Sequence, residues 1–512
     1  MHKRIIDIVE EEGLSDIEFQ GLVLLNELLT PLGLHYSAFI PVIQSQGTDE
    51  QIAKWVEPAQ KLAIMGCYAQ TELGHGSNVQ GLRTTATLDT NTDEFIIHSP
   101  DITAAKWWIG GLGIAATHCV LQAQLIIDGK PYGPHIFIVP VRSPVDRKPV
   151  KGVTVGDIGP KAYDGFATVD NGCKYYFALF DNVRIPRENM LMRFAKVTRD
   201  GQYIKPVHDK LSYGSMVKLR VGMVADAGIK LGKAATIAIR YCTVRRQFHS
   251  TDSKKGELEQ QVINYSSVQH RLFPLVAISY ALLFAGQSVN ADFQKMTKQL
   301  LKQDASMLPD MHITTCSLKV WSTRRSTDGQ EECRKAMGGH GYSQFSGVGQ
   351  LFATSVPSNT YEGDNYVLCQ QVGRSLLKQL SEMLKAGKPL GKDAKSSYLN
   401  LLHDDTPHSP YVLKNSFDIL EPQVQHHIFG LRAARLVADL AQQMKNGRPW
   451  ADVNIECWNI CFAHAEYNLV KQFNERVIAL SKQSPDLAEP LKLLANTVRK
   501  KRKKKKMNNI HI

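Results

Sequence analysis

Apolar residues recur at spacings of three and four over the first 65 residues, as in FQGLVLLNELL (Phe19–Leu29), which predicts helices there. From Gly66 to about Leu191 the texture changes to short β-rich runs such as EFIIHS, CVLQAQLII, HIFIVPV, GVTVGDI and YYFALF. Turn clusters such as DTNTD and DGKPYG separate them. This pattern predicts a mostly antiparallel β domain. The stretch DNVRIPRENM reads as a connection back to helix. Lys210–Arg246 then reads as one long helix, rich in small residues that let neighbouring helices approach closely. Further helices are predicted at about 258–300, 308–337 and 361–387, followed by a linker, KAGKPLGKDAKSS, and more helix over about 410–500.

The expected fold class is therefore α+β. An N-terminal helical domain (1–65) precedes a central β domain (66–192), a helical bundle (208–388), a second C-terminal helical domain (396–498) and a basic tail (499–512). The helix, sheet, helix order lacks any G-x-G-x-x-G turn between a strand and a helix, which argues against a Rossmann dinucleotide fold; GGHGYSQFSGVG follows a helix.

Charge changes the picture little. Of the net +12, Arg499, Lys500, Lys501, Arg502 and Lys503 to Lys506 supply eight, leaving +4 for the rest. Such a run is usually a solvated tail, with nuclear targeting or a nucleic-acid contact as the sharper alternative. The nine cysteines show no CxxC pair or disulfide-scaffold spacing, which fits a reducing compartment. Cys457 and Cys461, one helical turn apart, read as buried thiols, and no metal site is expected. The apolar stretch Leu272–Gly286 is shorter than the roughly 18–20 residues a bilayer span needs, and it contains a proline, so a core helix is expected. Acidic residues occupy the N-terminal region where a signal peptide carries its hydrophobic segment, so secretion is not expected. The final Ile-His-Ile is not a Ser-Lys-Leu type of peroxisomal address.

Four segments could carry chemistry. In SNTYEGDN, Glu362 stands ahead of the apolar face Leu368, Cys369, Val372, Leu376 and Leu380. The spacing places it in the first turn of a helix capped by Asn359 or Thr360. It is either a carboxylate favoured by the helix dipole or a buried acid with a raised pKa. The threonine and close glycines of Tyr68–Thr87 expose a hydroxyl and backbone N–H groups to a planar polar ligand, or form a tight turn. Lys106–Gly113 (KWWIGGLG) offers an aromatic wall and bare backbone to a flat ring system, or a bulged β-edge. In Ala238–Phe248, Arg245 and Arg246 could clamp a phosphate or stabilise a helix C-terminus.

YAQTELGHG, KWWIGGLG, KLSYGSMVKLR, AIRYCTVRRQF, RKAMGGHGYS and NTYEGDN resemble, in order and separation, the acyl-CoA oxidases. These are flavoenzymes of peroxisomal β-oxidation related to the acyl-CoA dehydrogenases. The likeness runs from about Ala59 to Lys385, and YEGDNYVL looks closer to fungal members. The resemblance implies the acyl-CoA dehydrogenase-like fold, an FAD cofactor, a fatty acyl-CoA substrate, O2 as electron acceptor, a homodimer and a peroxisomal location. It implies that Glu362 is the base taking the α-proton while the flavin accepts the hydride. Thr71, Gly110 and Gly111 match flavin contacts, and Arg245 matches an arginine reaching the FAD pyrophosphate or adenosine. Gly338 and Gly339 match a backbone stretch near the adenosine half. Gln269 is placed at the cofactor too, although its surroundings depart from the family's wording. Lys210, Leu211, Ser212, Tyr213 and Arg220 match the segment lining the acyl-CoA site. Relative to family members, both ends of the chain look shortened. A dehydrogenase passing electrons to a flavoprotein and a non-catalytic relative are the alternatives.

Overall fold

The alternation in HCVLQAQLII puts Cys119, Leu121, Ala123, Leu125 and Ile127 on one face of a strand, and all five are buried. The computed structural model describes residues 8, 11–14, 18, 33–113, 116–164, 176–206, 214–249, 256–300, 302, 304–391, 394–402 and 418–500. They form two compact units, residues 1–215 and 216–512. Phe19–Leu29 lies outside the described residues.

In the first unit a π-helical turn, His35–Phe39, runs into α1 (Ile40–Gln46), and α2 (Asp49–Gln60) follows. A reciprocal cap starts α2: Gln51 N donates to Thr48 Oγ1 at 3.3 Å and Thr48 N donates to Gln51 Oε1 at 2.9 Å. The larger sheet orders β1 (Gly66–Ala69), β5 (His118–Ile127), β2 (Thr85–Asp89), β3 (Glu94–His98) and β9 (Val183–Pro186), with β6 (Lys130–Pro140) also paired to β5. A second sheet orders β4 (Lys106–Ile109), β8 (Tyr176–Phe180) and β7 (Val153–Asp157), and β10 (Lys196–Val197) pairs with β11 (Tyr203–Ile204). Most pairings are antiparallel, while β5 runs parallel to both β1 and β2. DNVRIPRENM is not a bare connection: it contains β9, whose Val183 and Ile185 alternate into the core against β3. That strand is too short for its period to stand out from loop.

The second unit is helical: α3 (Gly214–Val244), α4 (Ser266–Leu300), α5 (Leu308–Ala336), α6 (Gly339–Tyr342), α7 (Val348–Ser355), α8 (Asn365–Ala386), α9 (Pro422–Lys445), α10 (Asn454–Gln483) and α11 (Ala488–Lys500). One buried apolar cluster extends from Val217 to Leu469. Small residues set the α3–α4 contact: a Cβ on Gly286 would lie 2.7 Å from the Ala225 Cβ. α4 is long and apolar enough to cross a membrane by length and composition alone. Its Leu272, Leu275, Leu282 and Val289 are buried in the protein core, so it serves as the core helix expected.

Three helix boundaries differ from expectation. α3 ends at Val244, so Arg245 and Arg246 lie beyond it. α4 begins at Ser266 because the preceding residues pair with the chain after α3: Val262 N donates to Arg245 O at 2.9 Å and Gln247 N to Gln260 O at 3.0 Å. The third, at the start of α8, shapes the site.

Candidate functional site

In the first unit, Thr71 and the glycine pair are joined through β4. Trp107 N donates to Thr71 O at 2.8 Å and Leu73 N to Ala105 O at 2.9 Å, which sets Thr71 beside the strand leading into Gly110 and Gly111. Beneath this ladder lies an ion pair with both side chains fully buried, Lys106 Nζ to Glu72 Oε1 at 3.1 Å. Lys106 also donates to Gln70 O at 3.0 Å. Glu72 accepts from Arg83 N and Thr84 N, each at 2.8 Å, and from Thr84 Oγ1 at 2.7 Å. Burial pushes the Glu72 carboxyl up, but Lys106 and those donors outweigh it and hold the pKa below its usual value. Lys106 has fewer partners, so burial wins and lowers its pKa to about 8.

The β4 register shifts between Lys106 and Ile109, and Trp108 sits there at φ +66° with 53% of its surface exposed. Trp107 instead stacks on Phe177, ring centroids 5.3 Å apart. Gly111 takes φ +77°, a value that favours glycine. Arg142 then gathers the turn, donating to Leu112 O and, at 2.8 Å, to Gly113 O. A Cβ on Gly113 would fall 1.6 Å from the Tyr176 ring. Gly113→Ala is therefore expected to cost about 1–3 kcal/mol, read as a lower urea midpoint, with the turn displaced.

In the second unit, Glu362 is not in the first turn of a helix. α8 starts at Asn365, and its cap is Asp364, whose side chain accepts from Tyr366 N at 2.9 Å and Val367 N at 3.4 Å. Neither Asn359 nor Thr360 caps it: Asn359 Nδ2 donates to Val356 O at 3.1 Å and to Thr327 Oγ1 at 3.3 Å, and Thr360 Oγ1 donates to Pro357 O at 2.9 Å. Glu362 and Gly363 precede the cap at φ +55° and +97°, both left-handed. For a glutamate that conformation is strained and persists only where the surroundings enforce it. Two cations do so. Arg220 Nε donates to Glu362 O at 2.9 Å, and Lys319 Nζ donates to Gly363 O at 2.7 Å and Asn365 Oδ1 at 2.8 Å. Glu362 keeps part of its surface accessible, yet burial of the carboxyl is the largest influence and raises its pKa; Arg220 and Lys319 pull the other way.

At the end of α3, Arg245 Nη1 donates to Tyr241 Oη at 2.6 Å and lies 3.2 Å from His340 Nδ1, to which Tyr241 Oη is also bonded at 2.8 Å. Arg245 thus sits beside the segment holding Gly338 and Gly339, around which an added Cβ would meet nothing within 4 Å. Arg246 is not a second arm of this clamp, because its Nη1 donates to Glu259 O at 2.7 Å.

The family description "Acyl-coenzyme A oxidase N-terminal" matches residues 1–65, and "Acyl-CoA oxidase, C-alpha1 domain" matches residues 213–377. The chain is 42% identical over 483 residues to peroxisomal acyl-coenzyme A oxidase 1 of Rattus norvegicus, covering 92% of this chain and 71% of that one. The chain belongs to the acyl-CoA oxidase family. Its fold matches Arabidopsis thaliana acyl-CoA oxidase 1 with a TM-score of 0.86 at 40% identity, covering 98% of this chain and 80% of that one. It matches Caenorhabditis elegans acyl-CoA oxidase-2, whose structure is bound with FAD, ascaroside-CoA and ATP, with a TM-score of 0.86 at 36% identity, covering 96% and 72%.

Among the site residues implied by likeness to acyl-CoA oxidases, the structure joins Thr71 to the Gly110–Gly111 strand, Arg220 to Glu362, and Arg245 to the Gly338–Gly339 segment. Gln269 lies in the first turn of α4, its N–H bonded to Tyr265 O. Lys210, Leu211, Ser212 and Tyr213 lie outside the described residues. Sequence reasoning did not single out Lys319, Glu72 or the role of Lys106 in the interior. A signal existed for Lys319, which stands between Leu318 and Val320 in a helix and shares a face with Cys316 and Thr323, all of them buried.

Proposed function

We propose that this acyl-CoA oxidase is FAD-dependent, peroxisomal and homodimeric, and that it converts a fatty acyl-CoA and O2 to a trans-2-enoyl-CoA and H2O2, the first step of peroxisomal fatty acid β-oxidation. The observation that carries the reading is a desolvated carboxyl, Glu362, whose turn is clamped by the buried side chains of Arg220 and Lys319.

Each unit by itself offers residues suited to one part of a flavin dinucleotide. An exposed indole at Trp108 and the side-chain-free backbone of Gly110 and Gly111 suit a flat ring system. Arg245, next to open space at Gly338 and Gly339, suits a diphosphate or adenosine. When bound, FAD supplies the two-electron acceptor that links the substrate to O2.

Glu362 is the base for the α-proton of the thioester. That proton is weakly acidic, and each pKa unit of mismatch between donor and base costs about 1.4 kcal/mol. Burial raises the basicity of Glu362, while Arg220 and Lys319 keep the carboxylate form accessible. Among the described residues no acceptor meets the Glu362 amide, which leaves that N–H as the donor for the developing thioester oxyanion. Lys210 to Tyr213 and Arg220 line the acyl-CoA site in this reading. Phe248, Tyr342 and Phe345 are exposed and available to a second copy of the chain.

The purified protein is expected to show flavin absorbance that saturating acyl-CoA bleaches without oxygen. Under air it is expected to release one H2O2 per enoyl-CoA formed. Protein without flavin would overturn the reading, and bleaching without peroxide would make the enzyme a dehydrogenase.

A further inference from the structure

We propose that Lys319 is a positioning residue for proton abstraction: it holds the Glu362–Gly363 turn from beneath through Gly363 O and Asn365 Oδ1. This rests on Glu362 being the base. Lys319 lies in the middle of α5 with none of its surface accessible. A lysine is almost never so placed unless its ammonium donors are used. Here they meet two acceptors, at 2.7 and 2.8 Å, on either side of the Asp364 cap.

The Asn365 side chain is itself held. Its Nδ2 donates to Thr323 Oγ1 and to Asn359 Oδ1, both at 3.1 Å, and Thr323 Oγ1 donates to Lys319 O at 2.8 Å. Lys319, Asn365 and Thr323 therefore close a hydrogen-bonded circuit, with Asn359 joining the far side of the loop. Arg220 secures the preceding carbonyl from α3 and reaches Cys316 Sγ at 3.5 Å. Successive carbonyls, of Glu362 and Gly363, are thus each pinned by a buried basic side chain from a different helix. A one-ångström drift of this turn would move the carboxyl relative to the carbon it must deprotonate.

Charge adds a second contribution. The charged and titratable groups facing Lys319 are Arg220 from α3, Cys316 on its own helix, and Glu362 and Asp364 in the loop. Burial and Arg220 bring its amine down to about 7 against Glu362, Asp364 and Cys316. The ammonium favours the Glu362 carboxylate, so removing it raises the pH at which Glu362 becomes a base. The two groups titrate as a coupled set, so the pH profile belongs to the cluster.

The test compares wild type, Glu362→Gln, Lys319→Met and Lys319→Arg holoenzymes by anaerobic stopped-flow bleaching with saturating acyl-CoA at several pH values. Lys319→Met is expected to retain flavin and acyl-CoA affinity while bleaching about 100-fold more slowly. Its acid limb is expected about one pH unit higher. Lys319→Arg keeps the charge and is expected to keep the acid limb in place while remaining slow, because its wider fork cannot serve both acceptors. If Lys319→Met does not hold flavin, Lys319→Arg alone decides: a wild-type rate overturns the proposal. A slow Lys319→Met enzyme with an unmoved acid limb also overturns it. Normal bleaching by Glu362→Gln would instead show that the reading of Glu362 itself is wrong.

Discussion

Glu362→Gln is expected to leave the protein folded and flavin-loaded and to slow bleaching by acyl-CoA by about 10²–10⁴-fold. The amide is nearly the same shape, accepts no proton at neutral pH, and leaves the backbone clamp from Arg220 and Lys319 intact. Because the Glu362 pKa is raised above 4.5, the wild-type rate is expected to fall as pH drops through a value higher than that of an ordinary glutamate. Stability moves the other way. Between 4.5 and the raised pKa the folded state holds more protons than the unfolded one, so wild-type stability declines as pH rises through that window. Glu362→Gln lacks this decline and is expected to be at least as stable as wild type at neutral pH. The measurements are single-turnover bleaching for the rate and urea midpoints at acidic and neutral pH for stability. A variant that is inactive because it has lost flavin or unfolds early contradicts this account.

Lys106→Met is expected to destabilise the first unit by about 3–5 kcal/mol, because it strips the partner from a buried carboxylate. The three remaining donors to Glu72 favour the lower end of that range. Gln70 O also loses its donor, on the residue next to Thr71, so flavin occupancy is expected to fall with stability. The pH dependence separates the two partners. Folded Lys106 titrates at about 8 and unfolded lysine at 10.5. Between these values the unfolded state holds more protons, and wild-type stability gains with rising pH, a gain the variant lacks. Glu72, with its pKa lowered below 4.5, contributes stability that is complete above 4.5 and is lost as the medium becomes more acidic. Urea titrations at acidic, neutral and alkaline pH, with flavin absorbance, check each point.

Much of the molecule follows from local pattern. The period-two runs of β5 and β3 and the three-and-four spacing of Leu368, Cys369, Val372, Leu376 and Leu380 state which face is buried, and those residues are buried. The order of helix, sheet and helix, the likeness to the acyl-CoA oxidases and the apolar helix that follows Glu362 were legible in the chain, although the spacing put Glu362 inside the first turn of that helix and the structure puts it before the cap.

Tertiary structure alone decided where α8 starts, that Glu362 is left-handed, and which side chains enforce it. The reason is distance along the chain. Arg220 lies 142 residues from the carbonyl it holds, and Lys319 lies 44 residues from its own. Lys106 and Glu72 are 34 apart. A hydrophobic period reports burial because neighbouring residues share a face, whereas the partner of a strained carbonyl or a buried charge is chosen only when distant elements pack together. For that reason α8 could be read from its own residues, and the clamp on the glutamate ahead of it could not.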